Sequence, residues 1–462
     1  MGIKNIFKIL IFTLSNILIK NEIRIPFKTN SSLNPSTNKL NEEELENYIF
    51  NLIHNDIYID LEVGTPSQKI KSFIKFEEHP FFIQGKDINS LGFNEKISDT
   101  FKSKSYPNIF LDGEEQIKYG YISNETILFN IGKSKETLKE MSFIVATEAR
   151  TESPSNIGLM IPNQYSSIPE ISFINQLKKQ DVINDYSFVI KYTSKEEGEF
   201  IIGGAPDSYD NRYKSEYYKI QYSISKPKYE MYGLEFDSIN IGNNNTNIGG
   251  CMQSKFLIDF GLIVGSINYY DIIYENFFKE KISKGFCQEK NIKAKIEWRE
   301  GEKKYIYFYC EKNKININEI KNIKFTQKEM NFTFEFNYSE LFHEIDKYLI
   351  FKIIFPEKRS FYWIFGKPWF EKYLMVFNQD KKTIGHYCYI LNDEGNDKNK
   401  ETTQPPNKLL LFIIIALLII LIILSALFFF CINNSRERRE RRRLNEVNDD
   451  YEYNQRNDNL ID

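Results

Sequence analysis

Histidine and cysteine are both scarce in this chain of 462 residues, which holds four of the first and five of the second. His54, His79, His343 and His386 are scattered, and none has the spacing of a metal-ligand pair. No metal site and no cofactor are expected. An excess of either charge is also missing: 60 Lys and Arg face 63 Asp and Glu, a net charge of −3. That balance says nothing about a nucleic-acid partner, and none is expected. One long stretch is nearly free of polar residues. Leu409 to Ile432 is 24 residues, almost all Leu, Ile and Phe.

The rest of the composition is that of a globular protein, with 42% hydrophobic and 15% aromatic residues. The length allows one large bilobal unit or two to three ordinary domains.

Both ends carry membrane signals. Lys4 and Lys8 precede an apolar run from Ile9 to Ile19, so residues 1–20 read as a secretory signal peptide. Residues 409–432 exceed the roughly 20 apolar residues that cross a hydrocarbon core and read as a transmembrane helix. The basic block Arg436 to Arg443 follows at once and is expected to stay cytosolic. The expectation is a single-pass type I membrane protein whose ectodomain is luminal or extracellular. A polar stalk spans 392–408, and residues 433–462 form a basic, then acidic, cytosolic tail.

Cysteine placement agrees with this topology. Cys251, Cys287, Cys310 and Cys388 fall in the oxidising compartment, enough for two bridges, and Cys431 sits at the inner membrane edge. Sequons at Asn30, Asn124, Asn244, Asn331 and Asn337 suit a glycosylated ectodomain.

The ectodomain pattern is mainly β. Runs such as Ile57-Tyr-Ile-Asp-Leu-Glu-Val63 and Phe200-Ile-Ile-Gly-Gly204 alternate or end as strands do. Ile171 to Gln180 is one of the few amphipathic helical segments.

Five landmarks in order carry a resemblance. They are Val63-Gly-Thr-Pro-Ser-Gln68, then Ile157-Gly-Leu-Met-Ile161 with the following helix, then Tyr186-Ser-Phe-Val-Ile with Gly198 to Gly204. The last two are Tyr362-Trp-Ile-Phe-Gly366 and Tyr373-Leu-Met-Val-Phe-Asn378 with Thr383-Ile-Gly385. Together they resemble the pepsin-like (A1 family) aspartic peptidases from about Tyr48 to Cys388. The resemblance implies a mainly β, bilobal acid-protease fold over 48–391, with lobes of about 48–210 and 211–391. It also implies a disulfide between Cys287 and Cys310, leaving the pairing of Cys251 and Cys388 open. Ile23-Arg-Ile-Pro-Phe-Lys28 resembles the opening of the family's prosegment, here shortened to 21–47.

The catalytic loops depart from the family. Its two Asp residues share a proton and a water, and each is followed by Thr or Ser and then Gly. Counted from Gln68, the first Asp position falls on Lys75; deleting two residues puts Glu77 there instead. The second loop, Phe256-Leu-Ile-Asp-Phe-Gly-Leu262, keeps Asp259 and loses the Thr. Lys75 would form an ion pair with Asp259 where the family shares a proton. Tyr119 matches the flap tyrosine, but Tyr121 to Thr126 is expected to turn back about six residues early. The implied function is a membrane-anchored pseudoenzyme that binds a peptide or protein in the interlobe cleft. The alternative is an active aspartic-type endopeptidase with Asp259 and Glu77 as an irregular dyad.

Overall fold

Alternation builds the first strands. In Ile57–Val63 the side chains of Ile57, Ile59, Leu61 and Val63 are buried, while Tyr58, Asp60 and Glu62 remain partly or fully exposed. The chain then turns through Gly64, whose φ of +85° favours glycine, and returns as Gln68–Lys75, paired antiparallel from Val63↔Gln68 to Tyr58↔Phe73. The computed structural model describes residues 22–29, 40–76, 81–87, 90–103, 117–131, 134–149, 155–159, 171–204, 218–224, 232–242, 244–245, 252–296, 302–358, 360 and 362–389. The expected signal peptide, stalk, transmembrane run and tail lie outside these residues, as do Glu77 and Cys251. Among the described residues, no helix is long and apolar enough to cross a membrane.

Strands dominate the region 22–389. They form sheets of thirteen, nine and four strands among the described residues. The closing strands Met375–Asn378 and Thr383–Tyr389 do not join the sheet of the residues just before them. Met375–Asn378 instead pairs with Ser187–Tyr192, whose other neighbour is Glu197–Ile202. The N-terminal half of the region and its last two strands therefore share one sheet. Phe188, from one, stacks on Phe377, from the other, at 5.3 Å between ring centroids.

The N-terminal segment is built into this framework. Ile23–Thr29 pairs antiparallel with Glu197–Ile202, burying Ile23, Ile25 and Phe27. The helix Glu42–Ile53 then runs unbroken across position 48. Asn41 caps it, accepting from Glu44 N while the Glu44 carboxylate accepts from Asn41 N, and three glutamates occupy its positive end. Leu45, Ile49 and Ile53 recur every fourth residue on its buried face and pack in a cluster with Leu257, Phe260 and Leu262. Burying side chains of this size contributes roughly 2 kcal/mol each.

Several sequence expectations are met locally. The amphipathic segment forms the helix Phe173–Lys179. Tyr362–Phe365, Met375–Asn378 and Thr383–Tyr389 are strands. Cys287 and Cys310 are disulfide-bonded across the hairpin that their own strands form.

One expectation is corrected. Tyr121 to Thr126 does not turn back. It is the middle of a strand running from Ile117 to Ile131, paired along its length with Ser134–Ala149. No Gly or Pro occurs between Tyr121 and Ile131 to support a tight reversal, and Gly132 is the first. Continuation also gives Ile127 and Leu128 a second set of partners, Val63 and Glu62.

Candidate functional site

Two copies of one strand motif carry the site. In the first, Gln68–Lys75 and Phe81–Gln84 flank Ser155–Gly158. That middle strand is parallel to the former and antiparallel to the latter. In the second, Met252–Phe256 and Ile263–Val264 flank Tyr362–Phe365 with the same polarities. Each loop thus leaves its first strand at the same point of an equivalent frame. Lys75 ends the first strand of one copy, and Asp259 lies three residues past the first strand of the other.

Backbone bonds hold both loops. Leu159 N donates to Lys75 O at 2.8 Å, Leu257 N to Phe365 O at 3.0 Å and Lys367 N to Phe260 O at 2.7 Å. The residue after each key position is a buried phenylalanine. Phe76 packs against Phe377 at 5.2 Å and Phe188 at 5.5 Å, and also against Tyr232 and Phe370. Phe260 belongs to the cluster that receives the Glu42–Ile53 helix. Where hydroxyls would cross-link two loops, this chain inserts two apolar plugs.

The helix end completes the site. Gly261 N donates to Ile53 O at 2.9 Å, and His54 and Phe260 form an antiparallel bridge. A Cβ on Gly261 would lie 1.8 Å from Leu52 O, so only glycine permits this approach. The contact delivers Asp56 to the loops. Lys75 Nζ donates to Asp259 Oδ2 and to Asp56 Oδ1, each at 2.9 Å. The three side chains retain only 18% (Lys75), 22% (Asp259) and 33% (Asp56) of their exposure. Burial holds the neighbouring His54 imidazole below its ordinary range; Asp56 and Asp259 oppose that shift and Lys75 adds to it.

A family model for eukaryotic aspartyl proteases matches residues 58–387. The chain belongs to the eukaryotic aspartyl protease family. No curated protein matches it. In this aspartyl protease family member the matched region starts inside the Ile57–Val63 strand, so the Glu42–Ile53 helix and Asp56 precede it.

Of the residues singled out in the sequence, Lys75 and Asp259 are brought together, and so are Cys287 and Cys310. Tyr119 lies in the backbone of the Ile117–Ile131 strand; its side chain is outside the described residues, as is that of Cys388. Glu77 cannot be placed relative to Asp259, because residues 77–80 are not described. Asp56 was not foreseen. It stands in a short link between helix and strand, and only the fold brings it to Lys75 (nineteen residues on).

Chemically, the Asp56–Lys75–Asp259 group is a cation held between two acceptors. An ammonium that donates to Asp259 supplies charge and hydrogen bonds. It does not supply the second carboxylate with which a dyad shares a proton and activates water.

Proposed function

We propose that this family member does not hydrolyse peptides and acts as a membrane-anchored binding protein, taking an extended peptide or protein segment in the groove between its lobes. The observation that carries this reading is the 2.9 Å bond from Lys75 Nζ to Asp259 Oδ2. Asp259 holds the position of the catalytic Asp in the family's second loop. With an ammonium as its direct partner it is a salt-bridged anion, not one half of a proton-sharing pair. Phe76 and Phe260, in place of hydroxyl residues, support the same reading, because both are committed to packing.

Anchoring rests on the apolar run Leu409 to Ile432 with the basic block Arg436 to Arg443 behind it. The Cys287–Cys310 bond suits an oxidising compartment, and so supports a luminal or extracellular ectodomain over a cytosolic one. A tag inserted after residue 20 and another at the C-terminus, probed by protease before and after membrane permeabilisation, test the orientation. The reading requires the C-terminal tag alone to be on the cytosolic side.

The decisive assay is cleavage of a mixed peptide library by the detergent-solubilised full chain between pH 3 and 7, with and without pepstatin. No pepstatin-sensitive cleavage is expected. Cleavage that pepstatin blocks and Asp259→Asn abolishes would establish the other reading, an endopeptidase pairing Asp259 with Glu77.

A further inference from the structure

Beside the Asp259 loop the chain forms a half-open cavity of about 860 Å³. Its walls come from three places: the end of the Glu42–Ile53 helix, the hairpin turn at Thr193 to Glu196, and the C-terminal half around Lys352 and the Lys367–Lys372 helix. Four lysines line it, Lys195, Lys352, Lys367 and Lys372. Four glutamates face them, Glu196, Glu340, Glu344 and Glu371, and two of these are already committed. Glu340 takes Lys372 at 2.9 Å, and Glu344 accepts from Tyr338 at 2.6 Å and from Lys312, a residue outside the cavity. Lys367 donates to Asn55 Oδ1 at 3.2 Å and to the Lys195 carbonyl, with Glu371 at 3.9 Å.

Lys352 is different. It is half-buried, and among the described residues its ammonium has neither a hydrogen bond nor an ion pair. Glu371 and Glu340 act on it only at a distance, so a half-buried cation without a direct partner is a natural receptor for an anion. The field it shares is felt nearby. The His343 imidazole, which bonds Tyr48 Oη at 2.6 Å, is pushed down to about 4, first by burial and then by Lys352, Lys195 and Lys367. Burial also holds the Lys352 and Lys367 ammonium groups below the usual lysine range.

We propose that this cavity binds a small organic oxyanion, a molecule bearing a phosphate or carboxylate group, with Lys352 as the principal charge partner and Lys195 and Lys367 beside it. The volume is that of a pocket for an organic ligand rather than a bare ion. Tyr48, Leu52 and Phe342 supply the apolar and aromatic wall against which the body of the ligand packs. The site lies on groups distinct from Lys75 and Asp259, so it stands or falls separately from the loss of peptidase activity.

The test uses the detergent-solubilised full chain with sodium phosphate or sodium acetate as probes and sodium chloride at matched ionic strength as the baseline. Lysine acylation is followed residue by residue by mass spectrometry, with Lys328, 80% exposed, as the internal control. Saturating phosphate or acetate is expected to slow labelling of Lys352 at least about threefold and to leave Lys328 unchanged. Whichever probe protects identifies the ligand as a phosphate or a carboxylate. Lys352→Met is expected to match or exceed the wild type's Tm in chloride and to lose the rise in Tm that the protecting anion gives. Protection by neither probe beyond chloride overturns the proposal, and so does an undiminished Tm rise in Lys352→Met. If that variant does not fold, the wild-type labelling decides alone.

Discussion

The Lys75 ammonium stands 2.9 Å from the Asp259 carboxylate, although 184 residues separate them. The same nitrogen reaches Asp56 at 2.9 Å, which sets the two carboxylates within twice that length of each other. One cation therefore holds the first strand motif, the second, and the link that follows the N-terminal helix.

Removing the cation leaves two shielded carboxylates facing each other. Lys75→Met is expected to lower stability by about 2 kcal/mol, less than for a fully buried pair because all three groups keep some solvent. Adding Asp259→Asn should recover part of that loss. A double-mutant cycle in urea reads the coupling as about 1 kcal/mol, and strictly additive losses would refute the contact. Lys75→Asp is not expected to yield pepstatin-sensitive cleavage, because Phe76 and Phe260 still occupy the hydroxyl positions.

Gly261 is the point where helix and loop touch. Gly261→Ala places a methyl group 1.8 Å from Leu52 O, and this backbone atom cannot swing aside. A loss of more than about 3 kcal/mol is expected, with faster hydrogen exchange at Gly261 and His54. A silent substitution would mean that the helix end does not pack on the loop.

Acid should destabilise this protein. Burial pushes both His343 and His386 down to about 4, so from pH 6.5 to about 4 each is protonated when unfolded but neutral when folded. The unfolded state then holds more protons, and stability falls as pH falls through that window, by roughly 3 kcal/mol for each fully shifted histidine. His386 packs against the rings of Phe332, Phe334 and Tyr373 at 4.5, 4.9 and 5.4 Å. His386→Phe should therefore flatten the Tm profile between pH 6.5 and 4. A slope equal to the wild type's would show that His386 does not carry this titration.

The Cys287–Cys310 bridge closes a loop over 23 positions of chain. Cys310→Ala, or mild reduction, is expected to cost about 3 kcal/mol, seen as a lower urea midpoint with the N-terminal half still cooperative. An unchanged midpoint would mean that the hairpin of Cys287–Ala294 with Lys303–Glu311 is held by its strand pairing alone.

Much of this was legible in the chain itself. Alternation in Ile57–Val63, the Gly-Thr-Pro turn and the Trp-Ile-Phe-Gly to Ile-Gly closing strands are local patterns, and local patterns survive in sequence because backbone sterics and side-chain burial impose them residue by residue. Their order was enough for the fold. The spacing of Lys75 and Asp259 allowed their pairing beside the alternative of Glu77, and the tertiary structure brings Lys75 to Asp259. The strand through Tyr121 to Thr126 runs on where the family comparison implies an early turn, because without Gly or Pro the segment has no residue suited to a tight reversal.

Other features exist only once distant segments meet. Asp56 gains its role because Gly261 admits the end of the Glu42–Ile53 helix, a steric condition set by two backbones 209 positions apart. Lys195, Lys352 and Lys367 share one cavity because the closing strands return to the first sheet and carry the Lys367–Lys372 helix beside the Thr193 to Glu196 turn. Sequence decided which elements form, because that depends on neighbours along the chain. Tertiary structure decided which charges find counter-ions, because Coulomb interactions and desolvation depend on distance in space.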